Sequence, residues 1–187
     1  MDSFTQGGKM KKLYIGIDLS FTDTAIVVLD EKGNLIGEYH VISQARPKTG
    51  KKDKESPMEF LDRLEIYRAE VYFRLNRIRK DHIGNNTLVK IGIEMPMGTY
   101  GSVKMGAVFA SVVTLIWDKF RFNYSKIDCL MPTQLKKFIT GKGNSKKNTI
   151  VKEVFKRWGF DTDNDNTADA YGIARWLIDT EQTNKML

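Results

Sequence analysis

The sequence holds a single cysteine, Cys129, in 187 residues. One thiol excludes an intramolecular disulfide and any cysteine-rich zinc centre, and it suits a reducing compartment. Histidine is almost as scarce. His40 and His82 are remote from every motif and have no partner spacing, which argues against a histidine-based metal or acid–base centre. No apolar run approaches the roughly 20 residues needed to cross a bilayer. The opening MDSFTQGGKMKK lacks the apolar segment of a secretory signal. The chain has no internal repeat and no linker-like stretch. With 41% hydrophobic and 28% charged residues, it reads as a globular protein of the cytoplasm that makes no use of a membrane. Residues 1–12 are expected to be a flexible leader and 13–187 one domain.

Positive charge is in excess. There are 30 Lys or Arg against 23 Asp or Glu, a formal charge of +7, which speaks of partners rather than of fold. The excess has an address: Lys136 to Arg157 carries Lys136, Lys137, Lys142, Lys146, Lys147, Lys152, Lys156 and Arg157 against one acid, Glu153. Trp158 to Leu187 then carries six acids and two bases. A basic block directly before an acidic one suits a protein that grips phosphates in one place and a cation in the next. A second basic cluster, Arg46 to Lys54, lies in a Pro- and Gly-containing stretch without apolar periodicity and reads as a loop.

Short Ile-, Val-, Leu- and Tyr-rich runs at Leu13 to Leu19, Thr24 to Asp30 and Leu35 to Ile42, with Glu31-Lys32-Gly33-Asn34 as a turn, predict a three-stranded antiparallel meander. Ser56-Pro57-Met58-Glu59 is a capping box with proline at the first helical position. It should open a long helix to about His82, with Met58, Leu61, Leu64, Tyr67, Val71, Leu75 and Ile78 as its apolar face. Leu88 to Glu94 is a fourth strand. A helix separates it from the meander, so it should lie parallel to the first strand. Ser102 to Phe120, apolar with small Gly106, Ala107, Ala110 and Ser111, predicts a helix buried on most sides, in the core or in a dimer interface. Lys126 to Met131 is a fifth strand, with Cys129 expected as a buried, inert thiol. Helices follow over Pro132 to Ile139, Lys146 to Trp158 and Thr167 to Thr180. The fold class is α/β: a mixed five-stranded sheet flanked by helices.

Three carboxylates stand at element ends. Asp18 closes Tyr14-Ile15-Gly16-Ile17-Asp18 and Glu94 closes Val89-Lys90-Ile91-Gly92-Ile93-Glu94. On parallel neighbouring strands both would emerge at one end of the sheet, where α/β sites form. Asp169 lies one turn into the last helix, with Asp165 four residues before it on the same face. Carboxylates converging from two strand ends and a helix start make an oxygen-only site suited to Mg²⁺ or Mn²⁺. Two such ions about 4 Å apart cleave phosphodiesters by activating water and stabilising the leaving oxygen.

These residues resemble the RuvC family of Holliday junction resolvases, within the RNase H-like superfamily, and especially the versions carried by bacteriophages. The likeness runs from about Leu13 to Ile178. Its carriers are Ile15-Gly16-Ile17-Asp18, Ile93-Glu94, Pro132 with Leu135-Lys136, Gly141 to Lys147, and Ala168-Asp169-Ala170. The resemblance implies four acidic residues holding two divalent metals, and it puts Asp18, Glu94 and Asp169 in three of those positions. The fourth, three residues before the last, is here Asn166, so either Asp165 displaced by one residue or Asn166 itself serves. Lys136 and Lys147 correspond to lysines near the scissile phosphate, and Gly141 and Gly143 to a close backbone approach to the duplex. Lys137, Lys142 and Lys146 extend the DNA-binding surface, while Met97 and Tyr100 stand where the family presents a residue to the junction centre. The implied activity is a Mg²⁺- or Mn²⁺-dependent endonuclease that cuts four-way and other branched DNA as a homodimer. A catalytically weak or inactive junction-binding protein and an RNase H-like nuclease for another substrate are the alternatives. An actin-like or sugar-kinase ATPase shares the strand-Asp opening but needs two such domains and nucleotide-binding glycine loops, which 187 residues disfavour.

Overall fold

The computed structural model describes residues 10–43, 55–96, 102–120 and 124–186. The expected leader up to residue 9, the basic loop over 46–54, and Met97 and Tyr100 lie outside the described residues. In chain order the elements are β1 (Lys11–Asp18), β2 (Asp23–Asp30), β3 (Leu35–Ile42), α1 (Pro57–His82), β4 (Thr87–Glu94), α2 (Ser102–Phe120), β5 (Tyr124–Leu130), α3 (Pro132–Thr140), α4 (Lys147–Trp158) and α5 (Asp165–Met186). The sheet order is β3-β2-β1-β4-β5. β1 to β3 form the predicted antiparallel meander, and β4 and β5 are parallel to β1. β1 begins at Lys11, inside the stretch expected to be leader, and α5 starts two residues before Thr167.

Strand residues alternate between two faces, and each face buries its own core. Leu13, Ile15 and Ile17 of β1, Ile26 and Val28 of β2, and Val89, Ile91 and Ile93 of β4 pack with α1 and α2. Tyr14 of β1 and Ala25, Val27 and Leu29 of β2 pack with α3, α4 and α5. By the same alternation Gly16, Asp18, Gly92 and Glu94 belong to the α5 face.

α1 is opened by the predicted capping box: Glu59 N donates to Ser56 Oγ at 3.2 Å, and Ser56 N to Glu59 Oε2 at 2.7 Å. Its inner face is Phe60, Leu64, Tyr67, Val71, Leu75 and Ile78. Met58 and Leu61, expected on that face, point outward. Phe60 takes their place because it packs edge-on against Phe21, which enters the core from the β1–β2 turn. α2 is buried on one side only, through Val108, Val112, Leu115, Ile116 and Phe120. Val103 at 84% and Trp117 at 53% exposure show that the core of one chain covers only one of the sides expected to be buried. Cys129 is exposed rather than buried, since β5 is an edge strand.

α5 crosses β1, β2 and β4 at close range. Gly16 and Gly92 are paired in register beneath it. A Cβ on Gly16 would stand 2.0 Å from the Ala170 carbonyl oxygen and 2.7 Å from the Ala174 nitrogen, and one on Gly92 would stand 2.6 Å from Ile173 Cγ2. Only glycine admits that approach, because the obstruction at Gly16 is backbone. Gly16→Ala is therefore expected to cost about 3 kcal/mol or more. A fall in the urea midpoint at unchanged m-value measures it.

Candidate active site

Asp18 and Glu94 end adjacent parallel strands, one step beyond the Ile17–Ile93 pairing, and both side chains point to the α5 face. The α5 helix carries Asp169 to the same place. The three carboxylates line one pocket of about 280 Å³ with Leu19, Ser20, Pro132, Lys136, Lys147 and Asn166. The sheet-end convergence expected from sequence is what the structure contains.

Three carboxylates face two lysines in this pocket. Asp18 is 6% and Asp169 8% exposed. Burial, together with the charges of Glu94 and Asp169, holds the Asp18 carboxyl well above its ordinary range. Burial also raises Glu94, although a hydrogen bond from Asp18 and the nearby Lys136 and Lys147 work against it. Burial and the Glu94 charge push Asp169 up to about 7, opposed chiefly by Lys147. Asp18 and Glu94 share a hydrogen bond, so a proton joins two groups that could otherwise face a cation. Asp169 Oδ1 is buried without any hydrogen-bond partner. A buried acceptor left unpaired is costly, and the donor set of hard oxygens fits Mg²⁺ or Mn²⁺. As the side chains stand, no three His, Cys, Asp or Glu among the described residues are disposed to hold a metal ion. The residues fit the ion in the chemistry of their oxygen donors.

The two readings of the fourth position separate in space. Asn166 lines the pocket and its Nδ2 donates to the Asp23 carbonyl at 2.9 Å. Asp165 is not among the lining residues. It is ion-paired to Lys147 Nζ, with the lysine side chain largely open to solvent and the aspartate about one-third exposed, and this hydrogen bond raises the Lys147 pKa.

Of the lysines expected to meet DNA, Lys136 and Lys147 line the pocket, while Lys137, Lys142 and Lys146 are exposed beyond it. Lys146 and Lys147 open α4, whose first turn has no acid and whose N-cap makes no side-chain hydrogen bond. Lysines at such a helix start oppose the macrodipole, but they add to the attraction of its free N–H groups for an anion. Gly141, read as a point of close duplex approach, has φ of +79° and terminates α3. Gly143 packs against Thr133. Arg157, counted in the basic block, donates to the carbonyls of Phe138 and Ile139 and so caps α3.

The start of α5 holds a polar cluster that no sequence motif marks. Asn164 caps the helix, its Oδ1 accepting from Thr167 N at 3.1 Å, while its Nδ2 donates to Asp23 Oδ2 at 3.2 Å. His40, which seemed partnerless, bonds Asp23 Oδ1 at 2.8 Å through Nδ1 and stands 3.1 Å from both Glu38 Oε1 and Thr167 Oγ1 through Nε2. Burial pulls the His40 pKa down, but the hydrogen bonds to Asp23 and Glu38 outweigh it and leave a net rise. The legible part was Asn164, a good cap residue before an apolar run. His40 became visible only through the β2–β3 pairing that sets it opposite Ala25.

Comparison with known proteins identifies the fold. The chain is similar to the Thermus thermophilus RuvC structure, with a TM-score of 0.62 and 17% identity, over 91% of this chain and 96% of that one. It is also similar to T. thermophilus RuvC in complex with Holliday junction substrate, with a TM-score of 0.57 and 19% identity, over 87% and 90%. No protein-family model and no curated protein sequence matches the chain. The mixed sheet with its flanking helices is thus a RuvC-type, RNase H-like fold.

The clustered carboxylates carry a stability signature. A carboxyl raised on folding binds more protons in the native than in the unfolded state, so stability falls as pH rises from the ordinary carboxylate range through the raised value. Asp18→Asn removes one buried charge yet keeps a donor for Glu94. Without divalent ions its melting temperature should exceed wild type at pH 8 by several degrees, at about 2–4 °C per kcal/mol for a domain of this size. The gain should shrink at pH 4. Paired thermal melts at the two pH values test this, and equal shifts at both would contradict it.

Proposed function

We propose that the protein is a metal-dependent, structure-selective endonuclease that cuts Holliday junctions and other branched DNA. The observation that carries the reading is the convergence of Asp18, Glu94 and Asp169, with the unpaired Asp169 Oδ1, beside Lys136 and Lys147 in one pocket of a RuvC-type fold. Asp18, Glu94, Asp169 and Asn166 would hold Mg²⁺ or Mn²⁺. Two bound ions supply an activated water and stabilisation of the leaving oxygen. Lys136 and Lys147 each offer a point charge to a phosphate oxygen at the pocket rim. Lys137, Lys142 and Lys146 continue that charge onto the exposed surface, where backbone contacts set affinity without reading sequence. Asp165, paired with Lys147, would hold that ammonium at the rim. Under the bacteriophage likeness, the work would be done in the host cytoplasm. Residues 13–187 are taken as the single nuclease domain.

The T. thermophilus neighbour was solved with a Holliday junction, which supports a branched substrate here. Asp18→Asn should lower Mg²⁺-dependent nicking of a labelled four-way junction by more than about 100-fold, since changes one step removed from a metal already cost about 10- to 100-fold. Junction binding measured in Ca²⁺ should stay close to wild type. Undiminished cutting by this variant would sink the assignment.

A homodimer is part of the proposal, since paired cuts need two sites. The outer side of α2 supports it: Val103 and Trp117 are exposed, and a Cβ on Gly106 would meet nothing within 4 Å. On α1, Ile66 and Phe73 are also exposed, at 61% and 59%. An apolar surface of this kind is characteristic of an interface. Light scattering should give twice the chain mass at micromolar concentration, and Trp117→Glu should shift it toward the single-chain value.

A further inference from the structure

We infer that His40 is a positioning residue of the proposed nuclease site, a doubly protonated latch that fixes the first turn of α5 to β2 and β3. The inference rests on the metal-nuclease reading and adds to that site a residue from outside the pocket lining.

The partners of the ring decide its protonation by elimination. Nδ1 stands 2.8 Å from Asp23 Oδ1, and Nε2 stands 3.1 Å from both Glu38 Oε1 and Thr167 Oγ1. A carboxylate oxygen only accepts, so a ring that meets carboxylates through both nitrogens must donate from both, and imidazolium alone does so. Thr167 Oγ1 donates its one proton to Glu38 Oε1 at 3.2 Å, which leaves its lone pairs to accept from Nε2. A neutral ring would instead turn the Nε2 lone pair toward Glu38, and the Thr167 proton would have to leave Glu38 to relieve it. Asp23 of β2 and Glu38 of β3 are the charges that face the ring. From α5 come the neutral Thr167 and, behind Asp23, Asn164. From α1 comes Arg74, whose Nε donates to the His40 carbonyl at 3.0 Å and whose guanidinium pairs with Glu70 at 3.6 Å.

What the ring holds is the start of the helix that presents Asp169. Through Asp23 it reaches Asn164, the cap of α5, and the same Asp23 accepts Asn166 Nδ2 on its carbonyl at 2.9 Å. Through Thr167 it reaches the helix directly. Asp23, His40 and Thr167 have the spacing of an acid–imidazole–hydroxyl relay, but Thr167 is 0% exposed, so no substrate reaches its hydroxyl. The relay therefore positions and does not attack. Burial lowers the His40 pKa, while the bonds to Asp23 and Glu38 raise it by more. The latch is complete at pH below the ordinary histidine range and is released as pH rises through the raised value.

Mg²⁺-dependent nicking of a labelled four-way junction by wild type and His40→Gln, compared at about pH 6 and about pH 9, tests the latch. Glutamine is neutral and donates from one nitrogen only. The variant should cut about tenfold more slowly at the lower pH, as loss of an outer partner of a metal site does. At the higher pH the gap should close to about twofold, because wild type has then lost the same proton. The pocket carboxylates are common to both proteins, so the ratio of rates reports His40, and thermal melts at both pH values control for folding. Nitrogen-15 NMR of wild type gives a second measurement that needs no variant to be active. The His40 titration midpoint should lie above that of an ordinary histidine, and Asp23→Asn should lower it. A tenfold deficit that is equal at both pH values would reduce His40 to packing, and a ratio near one at the lower pH would show the site indifferent to it. Either result overturns the inference, as does a His40 midpoint below the ordinary value. Absence of Mg²⁺- or Mn²⁺-dependent cutting by wild type would instead remove the nuclease reading, and this inference with it.

Discussion

The close passage of α5 over the sheet is the constraint on which the rest of the structure depends. Gly16 and Gly92 lie side by side in register and leave a shallow groove where the helix backbone at Ala170 and Ala174 settles. Any side chain there would lift the helix by a bond length or more. That displacement would also carry Asp169 away from Asp18, two residues along β1 from Gly16 and on the same face. The two glycines and the two strand-end acids are thus one device. Period-two alternation puts Gly16 and Asp18, and Gly92 and Glu94, on the α5 side. Parallel pairing then sets the two acids at one end of the sheet.

That device holds like charges together at an energetic cost the fold offsets only in part. Burial dominates the upward shifts of Asp18, Glu94 and Asp169, and Lys136 and Lys147 relieve rather than cancel them. Buried groups with strongly perturbed ionisation mark functional sites more often than structural ones, because a purely structural core has no reason to keep them. The basic block is more divided than its net charge suggests. Arg157 is engaged with the end of α3 and Lys147 with Asp165, whereas Lys137, Lys142 and Lys146 stand free on the surface. The unoccupied cations flank the pocket, and those in ion pairs or caps shape it.

Much of this was legible in the sequence because it depends on local rules. The capping box at Ser56 and Glu59, the alternating strands and the helix-separated fourth strand predicted the sheet and its mixed direction. The carboxylates were legible because acids at the ends of apolar strands have few structural uses. What escaped depended on tertiary packing. Phe60 displaces Met58 and Leu61 from the inner face of α1 through its contact with Phe21, a residue in a turn and outside any periodic pattern. The open side of α2 and the exposure of Cys129 follow from position at the rim of the fold, to which apolar content is blind. Asp165 and Asn166 are adjacent in sequence and both within a helical turn of Asp169, so only the partners at Lys147 and Asp23 could tell them apart.

Those partners reveal how the pocket is held from both sides of the sheet. Consecutive residues of a strand face opposite ways, and the first two residues of β2 use this fully. Asp23 faces α5 and binds Asn164 through its carboxylate and Asn166 through its carbonyl. Thr24 faces α1, where its hydroxyl lies 2.6 Å from Tyr67 Oη and reaches the Ser20 carbonyl at 2.6 Å, while Ser20 N donates to it at 3.1 Å. One hydroxyl has one proton and two acceptor positions. If Thr24 donates to Ser20, Tyr67 must donate to Thr24, and every member of the chain is satisfied. Burial raises the Tyr67 pKa to about 12, so its phenol keeps the proton that this chain requires. Ser20 and Asn166 both line the pocket. A two-residue segment of β2 therefore ties one pocket wall to α1 and another to α5, and the carboxylates are presented from between two walls registered to the same strand.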